Sequence, residues 1–374
     1  MSPRKRVSRS LLALRRKWLA LFVFSLFAIS GLSLFVYSHF REPRAIGWGT
    51  VSALTLALQM FHLRPLLNLN VSISTRRLAG RFGPGTQLSL LRMLGISMLS
   101  GFIGVEKISS GLAWAPFGLY LLANIADLFD GYAARLSGHQ TLLGERLDLD
   151  LDGRGLLIAS ILVYQYGRVG WWFLLVGAAR YLFMFGSWLR LRRGLRVHKL
   201  KENLGRRALA GTQMGLCTAL LAPVFSPPET IVAAGLFMIP FLANFSYDWL
   251  QVSGGVKRVD SILQRLSGLA GLAKHWLPVF LRLVASAILF QWAALASSFP
   301  ALQMLNFLFA FALLLGVAVR ILSIAVLIEI GFLSQIQPGW ALLICCTTLL
   351  FLGSGSFSLW RPEDYLIKRR LGER

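Results

Sequence analysis

Apolar residues in this chain come in long runs separated by short polar, mostly basic stretches. The first run spans 18–40. Others fall at about 45–63, 87–105, 112–130, 148–168, 170–190, 205–224, 228–250, 276–296, 300–319, 321–335 and 338–356. Most approach the ~20 residues an α-helix needs to cross hydrocarbon. Helices satisfy their own backbone hydrogen bonds, so they are the expected spanning element. The pattern predicts an all-α polytopic membrane protein with about twelve transmembrane helices. Two polar stretches divide it. Residues 64–86, RPLLNLNVSISTRRLAGRFGPGT, read as a juxtamembrane segment suited to lie on the surface as an amphipathic helix. Residues 251–273 read as a linker rich in glycine, serine and lysine. The predicted organisation is a basic N-terminal part with two helices (1–83), a six-helix core (84–250), the linker (251–273) and a four-helix part (274–374).

Composition narrows the class. Of 374 residues, 56% are hydrophobic and 15% charged, with a mean hydropathy of +0.63. A soluble domain has about 45–50% apolar and about 25% charged residues, so a soluble enzyme is excluded. Disorder is excluded by the same excess of apolar residues. The charge is strongly basic, 39 Lys and Arg against 16 Asp and Glu, for a net +23. Its distribution follows the positive-inside rule. Seven basic residues fall in 1–17 and eight between 190 and 207, while the alternate loops hold few. This predicts a cell (plasma or inner) membrane protein with both termini, and the loop between the fourth and fifth runs, in the cytoplasm. Anionic lipid accounts for the basic loops, and no nucleic-acid partner is expected. The first run is longer than a signal-peptide core and ends in VYSHF without a small-x-small site, which predicts an uncleaved anchor. Cys217, Cys345 and Cys346 sit in apolar stretches without metal spacing and read as packing thiols.

The acids are concentrated. Six of the sixteen (Asp127, Asp130, Glu145, Asp148, Asp150 and Asp152) lie between 127 and 152. Asp127 and Asp130 are three apart on one predicted helix, and Asp148 and Asp152 four apart on the next, so each pair shares a helical face. A short polar turn joins the helices, so four carboxylates are expected to converge at one membrane surface. Four bare carboxylates repel one another. Divalent cations remove that conflict, and an all-oxygen set suits Mg²⁺ or Mn²⁺. Two such ions suit phosphoryl transfer. Gly131 and Ala134 leave one face almost bare for a flat base or a diphosphate, Arg135 lies one turn on, and Gly144 keeps the next helix start clear. Glu145 and Asp150 fall off the shared face and read as solvated or paired with Arg146 and Arg154.

The pattern D-x2-D-G-x2-A-R-x8-G-x3-D-x3-D is complete here, as Asp127, Asp130, Gly131, Ala134, Arg135, Gly144, Asp148 and Asp152. On these eight positions, residues 84–250 resemble the CDP-alcohol phosphatidyltransferases. The resemblance implies an enzyme of phospholipid biosynthesis that is commonly a homodimer. It implies two divalent cations, Mg²⁺ or Mn²⁺, with Asp127, Asp130 and Asp148 as ligands and Asp152 as a ligand or the base that deprotonates the acceptor. The donor is a CDP-linked lipid such as CDP-diacylglycerol, the acceptor a small alcohol, and CMP leaves. Gly131, Ala134, Arg135 and Gly144 would line the CDP site. SLLRMLG at 89–95 resembles the family's first core helix, which points to Thr86 and Ser89 as nucleotide contacts.

An intramembrane arginine is a functional-site hypothesis by default. Arg180, with Arg206 and Arg207, is read as binding an acceptor phosphate, favouring glycerol 3-phosphate or inositol phosphate. Residues 274–374 resemble the DoxX-like four-helix membrane family, and Arg282 and Glu329 are expected to pair there. Other CDP-alcohol chemistry with a different lipid donor is the alternative within the class. A polyprenyl transferase fits less well, because its acidic clusters are wider apart and lack the glycine–alanine–arginine element. A cation-coupled transporter would place its acids at broken helices near the midplane, whereas these lie at span ends.

Overall fold

The computed structural model describes residues 3–40, 44–105, 110–200, 204–254, 276–294, 300–332 and 339–360. Among them the fold is all-α. Helices α1 (Pro3–Phe40), α2 (Ala45–Leu66), α3 (Pro84–Ser100), α4 (Ala115–Leu136), α5 (Leu142–Gln165) and α6 (Leu174–Arg192) are followed by α7 (Leu204–Leu221) and α8 (Glu229–Ser253). Then come α9 (Trp276–Ala294), α10 (Pro300–Leu315), α11 (Val319–Phe332) and α12 (Gly339–Leu352). Each predicted apolar run coincides with a helix. Five helices among the described residues are long and apolar enough to cross a membrane: α1, α2, α6, α8 and α9. The chain is a polytopic all-α membrane protein.

Residues 64–86 are not one helix. After α2 the chain makes a single 3-10 turn, Leu67–Leu69, and then loops back on itself. Asn70 Nδ2 donates to the carbonyls of Ala79 and Arg81 at 2.8 and 3.0 Å, closing the loop. The loop is tied to the turn between α4 and α5 by Ile73 N to Gln140 O (3.0 Å) and Leu142 N to Val71 O (3.2 Å). Arg76 lies in the left-handed region at φ 53°, and Pro84 starts α3, so helix cannot run through. The result is a folded cover over the α4–α5 turn.

The helices form two compact units. The first holds Met1–Tyr181 with Met214–Pro223, and the second Leu182–Gln213 with Val224–Arg374. In the first, small residues let helices approach closely. A Cβ at Gly85 on α3 would lie 2.5 Å from the Asp130 carbonyl and 2.8 Å from the Ala134 methyl of α4. Gly155 on α5 meets Tyr120 and Ile96 in the same manner. Arg92, Tyr120, Phe173, Met93, Ile96 and Leu99 are among the fully buried side chains between these helices. In the second unit Ala285, Leu289, Leu313, Val326, Cys346 and Leu349 lie at the centre of an apolar cluster. The expected Arg282–Glu329 pair gives way to a different arrangement. Arg282 donates to the carbonyls of Leu314, Ser354, Ser356 and Phe357, closing the chain after α12 against α10. A fan of guanidinium donors matches several loop carbonyls better than one carboxylate does. All three cysteines are free and buried.

Candidate active site

Three helices supply the site. Pro84 at the first turn starts α3 with its missing N–H where none is needed. The Thr141 hydroxyl accepts from Gly144 N at 3.1 Å and caps α5. From that cap, Asp148 and Asp152 fall on successive turns of one face of α5, opposite Asp127 and Asp130 on α4. The expected convergence of the four carboxylates is present, and an unexpected residue sits at its centre. Arg92 of α3 reaches all four. Its Nη1 lies 2.6 Å from Asp127 Oδ1, 3.0 Å from Asp148 Oδ1 and 3.3 Å from Asp130 Oδ2. Its Nη2 lies 2.5 Å from Asp152 Oδ1.

Exposure separates the four acids. The side chain of Asp130 is 9% exposed, against 28% for Asp127, 35% for Asp152 and 43% for Asp148. Asp130 is the inner wall, held by the Ser89 hydroxyl, which donates at 3.0 Å. The other three open outward, and each offers an oxygen within 4.8 Å of the others. Among the described residues this is the group of three or more potential ligands that meets such a limit.

The balance of charge shows that the centre fits divalent cations. Four carboxylates and one guanidinium leave a formal charge of −3. Arg92 Nη1 carries two protons and faces three carboxylate oxygens, and Ser89 supplies the third donor, to Asp130 Oδ2. Two divalent cations would turn −3 into +1, a charge that attracts a diphosphate. The donors are all hard oxygens, as Mg²⁺ and Mn²⁺ require.

The remaining predicted residues have distinct places. The Ala134 methyl lies against Gly85, so its small size serves the α3–α4 contact. Gly131 lies under the Arg135 guanidinium, whose Nη1 is 3.2 Å from where a Cβ would stand. Gly144 lies between the hydroxyls of Thr141 and Thr86. Thr86 and Ser89 are buried, and Ser89 gives its proton to Asp130 or to the Gly85 carbonyl. Arg180 passes over Gly153 and donates to Asp150 Oδ1 at 3.2 Å. Asp150 itself is buried, not solvated, and meets Arg146 at 3.4 Å as well. Two residues along a helix turn a side chain by about 200°, so Asp150 faces away from Asp148. In the second unit Arg206 grips Asp248 with two nitrogens, at 2.7 and 3.0 Å. The side chain of Arg207 lies outside the described residues.

Arg92 is the functional residue that motif reading passes over. Its signal was present, a lone arginine in the apolar stretch SLLRMLG, and the rule that marked Arg180 applies equally to it.

An all-α membrane scaffold with an acidic, cation-seeking centre on facing helices defines a polytopic membrane enzyme. Residues 85–245 match the family described as CDP-alcohol phosphatidyltransferase, so this part of the chain carries a domain of that enzyme class. It is 26% identical over 195 residues to a CDP-diacylglycerol--glycerol-3-phosphate 3-phosphatidyltransferase of Cereibacter sphaeroides, covering 51% of this chain and 84% of that protein. It is 24% identical over 189 residues to proteins named putative cardiolipin synthase from Mycobacterium bovis and Mycobacterium tuberculosis, covering 50% of this chain and 88% of each. No solved structure matches the chain significantly. These findings place it in phospholipid biosynthesis.

Proposed function

We propose that this enzyme moves a phosphatidyl group from CDP-diacylglycerol to the hydroxyl of a small phosphorylated alcohol, glycerol 3-phosphate before inositol phosphate, and releases CMP. The observation that carries the proposal is the convergence of Asp127, Asp130, Asp148 and Asp152 on Arg92, a centre left at −3 that calls for cations and then for a diphosphate. The name of the Cereibacter relative supports glycerol 3-phosphate as acceptor.

Asp127, Asp148 and Asp152, with Asp130 behind them, would hold two Mg²⁺ or Mn²⁺ ions. Bound there, such ions neutralise the diphosphate and the departing CMP. The chain's own groups do the rest. Arg92 keeps the carboxylates from repelling one another and holds their oxygens in place. Arg135, over Gly131, is positioned to pair with a phosphate oxygen. Asp152 takes the proton of the acceptor hydroxyl. The acceptor oxygen then bonds to the phosphorus distal to cytidine as the bond to the CMP oxygen breaks. The charge distribution supports a cytoplasmic site, where CDP-lipids and soluble alcohol phosphates meet.

The test is CMP release by the purified full chain with CDP-diacylglycerol and Mg²⁺ or Mn²⁺. Glycerol 3-phosphate, inositol phosphate, inositol, serine and phosphatidylglycerol are offered in parallel, with Asp152→Asn as control. Metal-dependent release with glycerol 3-phosphate, absent in the control, is the expected result. Release with phosphatidylglycerol alone would transfer the assignment to cardiolipin synthesis. No release with any acceptor, and no metal-dependent binding of the donor, would overturn it.

A further inference from the structure

The far face of α5 carries a second polar site. There α2 and α5 enclose a groove of about 300 Å³, lined by the polar Gln59, His62 and Arg154, by Leu58, Leu157 and Ile158, and by Thr55. The two helices run in opposite directions, since His62 meets Asp150 at 3.6 Å while Gln59, one turn back, meets Arg154 at 3.4 Å. The groove therefore passes from a charged end to one that is apolar except for Thr55. Its charged end is built, not incidental. Gln59 is 4% exposed, donates to Ser97 at 3.0 Å and turns its oxygen to Arg154. Three basic side chains (His62, Arg146 and Arg180) meet a single carboxylate, Asp150, and Arg154 adds a fourth on Gln59. With His62 neutral the cluster is at +2.

We infer that this groove binds one anionic phospholipid, with its phosphate on Arg154 and His62 and an acyl chain along Leu58, Leu157 and Ile158. Charge complementarity selects the anion. The apolar leg selects a lipid over a soluble phosphate. On the same helix Leu54, Leu58 and Phe61 are 60%, 63% and 56% exposed, a face suited to hydrocarbon, so a lipid enters sideways from the bilayer. The groove is separate from the carboxylate centre. Asp148 and Asp152 point to the other side of α5, and the α2 wall lies outside residues 85–245 that match the family. An occupant would bear on the helix that carries both aspartates.

The full chain in nanodiscs, examined by native mass spectrometry with phosphatidylglycerol and phosphatidylcholine, tests the inference. The wild type should retain one phosphatidylglycerol about tenfold over phosphatidylcholine, the size of one charge-assisted contact. His62→Gln with Arg154→Gln should bring the ratio close to one, whereas Asp152→Asn should leave it unchanged. Leu58→Trp, which fills the apolar leg from the bilayer side, should lower retention if the double variant does not fold. A ratio near one in the wild type overturns the inference, as does a preference that survives both groove variants. Loss in Asp152→Asn would make the lipid a ligand of the catalytic centre. Displacement by soluble glycerol phosphate would make it a soluble-anion site. Either would refute the assignment.

Discussion

Replacing Arg92 separates its two effects, on folding without metal and on metal affinity. Arg92→Gln keeps a long polar side chain but removes the charge that faces four carboxylates at 2.5 to 3.3 Å. Breaking a buried ion pair by removing one partner costs roughly 3–5 kcal/mol. Three of the four carboxylates are partly exposed, so solvent screens them and the low end, about 3 kcal/mol, is the better figure. In a unit of this size that corresponds to about 6–12 °C of melting temperature. The same substitution takes the centre from −3 to −4. One unit of charge at contact range in a water-screened site changes the binding of a divalent cation by about 1–2 kcal/mol, or about tenfold. The variant should therefore melt lower in chelator, bind Mn²⁺ about tenfold more tightly, and recover much of its stability when Mn²⁺ is added. Thermal unfolding in detergent and Mn²⁺ titration by electron paramagnetic resonance read the two effects independently of turnover. Unchanged melting in chelator together with unchanged Mn²⁺ affinity would refute the role of Arg92 as the countercharge of this centre.

Gly85→Val should separate α3 from α4, because a Cβ there would stand 2.5 Å from the Asp130 carbonyl; the expected outcome is loss of folded protein on size-exclusion chromatography or of at least about 3 kcal/mol of stability. Ser89→Ala removes one hydrogen bond to a buried carboxylate and should cost about 1–3 kcal/mol by thermal unfolding, with a smaller loss of CMP release than any of the four aspartate variants. Chelation should abolish CMP release, and Mg²⁺ or Mn²⁺ should restore it, while Ca²⁺, with its longer bonds and looser geometry, should restore it poorly.

The carboxylate centre was legible because helical spacing alone aligns Asp127 with Asp130 and Asp148 with Asp152, in a chain otherwise poor in acids. The helices were legible because each needs a continuous apolar run. Two things were not. The cover at 70–83 depends on Asn70 reaching carbonyls nine and eleven residues away, a contact that periodicity does not encode. The second polar site needs α2 beside α5, so a pairing of Asp150 with Arg146 can be read from spacing, but not its contacts to His62 and Arg180. Arg92 stands between these cases. Its place in an apolar helix announced a function, but only packing shows that one residue serves four partners.

Arg92 also precedes all four aspartates in the chain. During synthesis α3 emerges first, so a cation is already available when α4 and then α5 bring in their carboxylates. An unpaired aspartate costs up to about 2.5–3.5 kcal/mol to insert, the figure for the centre of a membrane helix. Each newly arriving acid meets a resident partner, and the centre can be assembled in the bilayer before any metal ion reaches it. The arginine thus makes the order of the chain an order of assembly, with one resident cation offsetting part of the negative charge that the later helices bring.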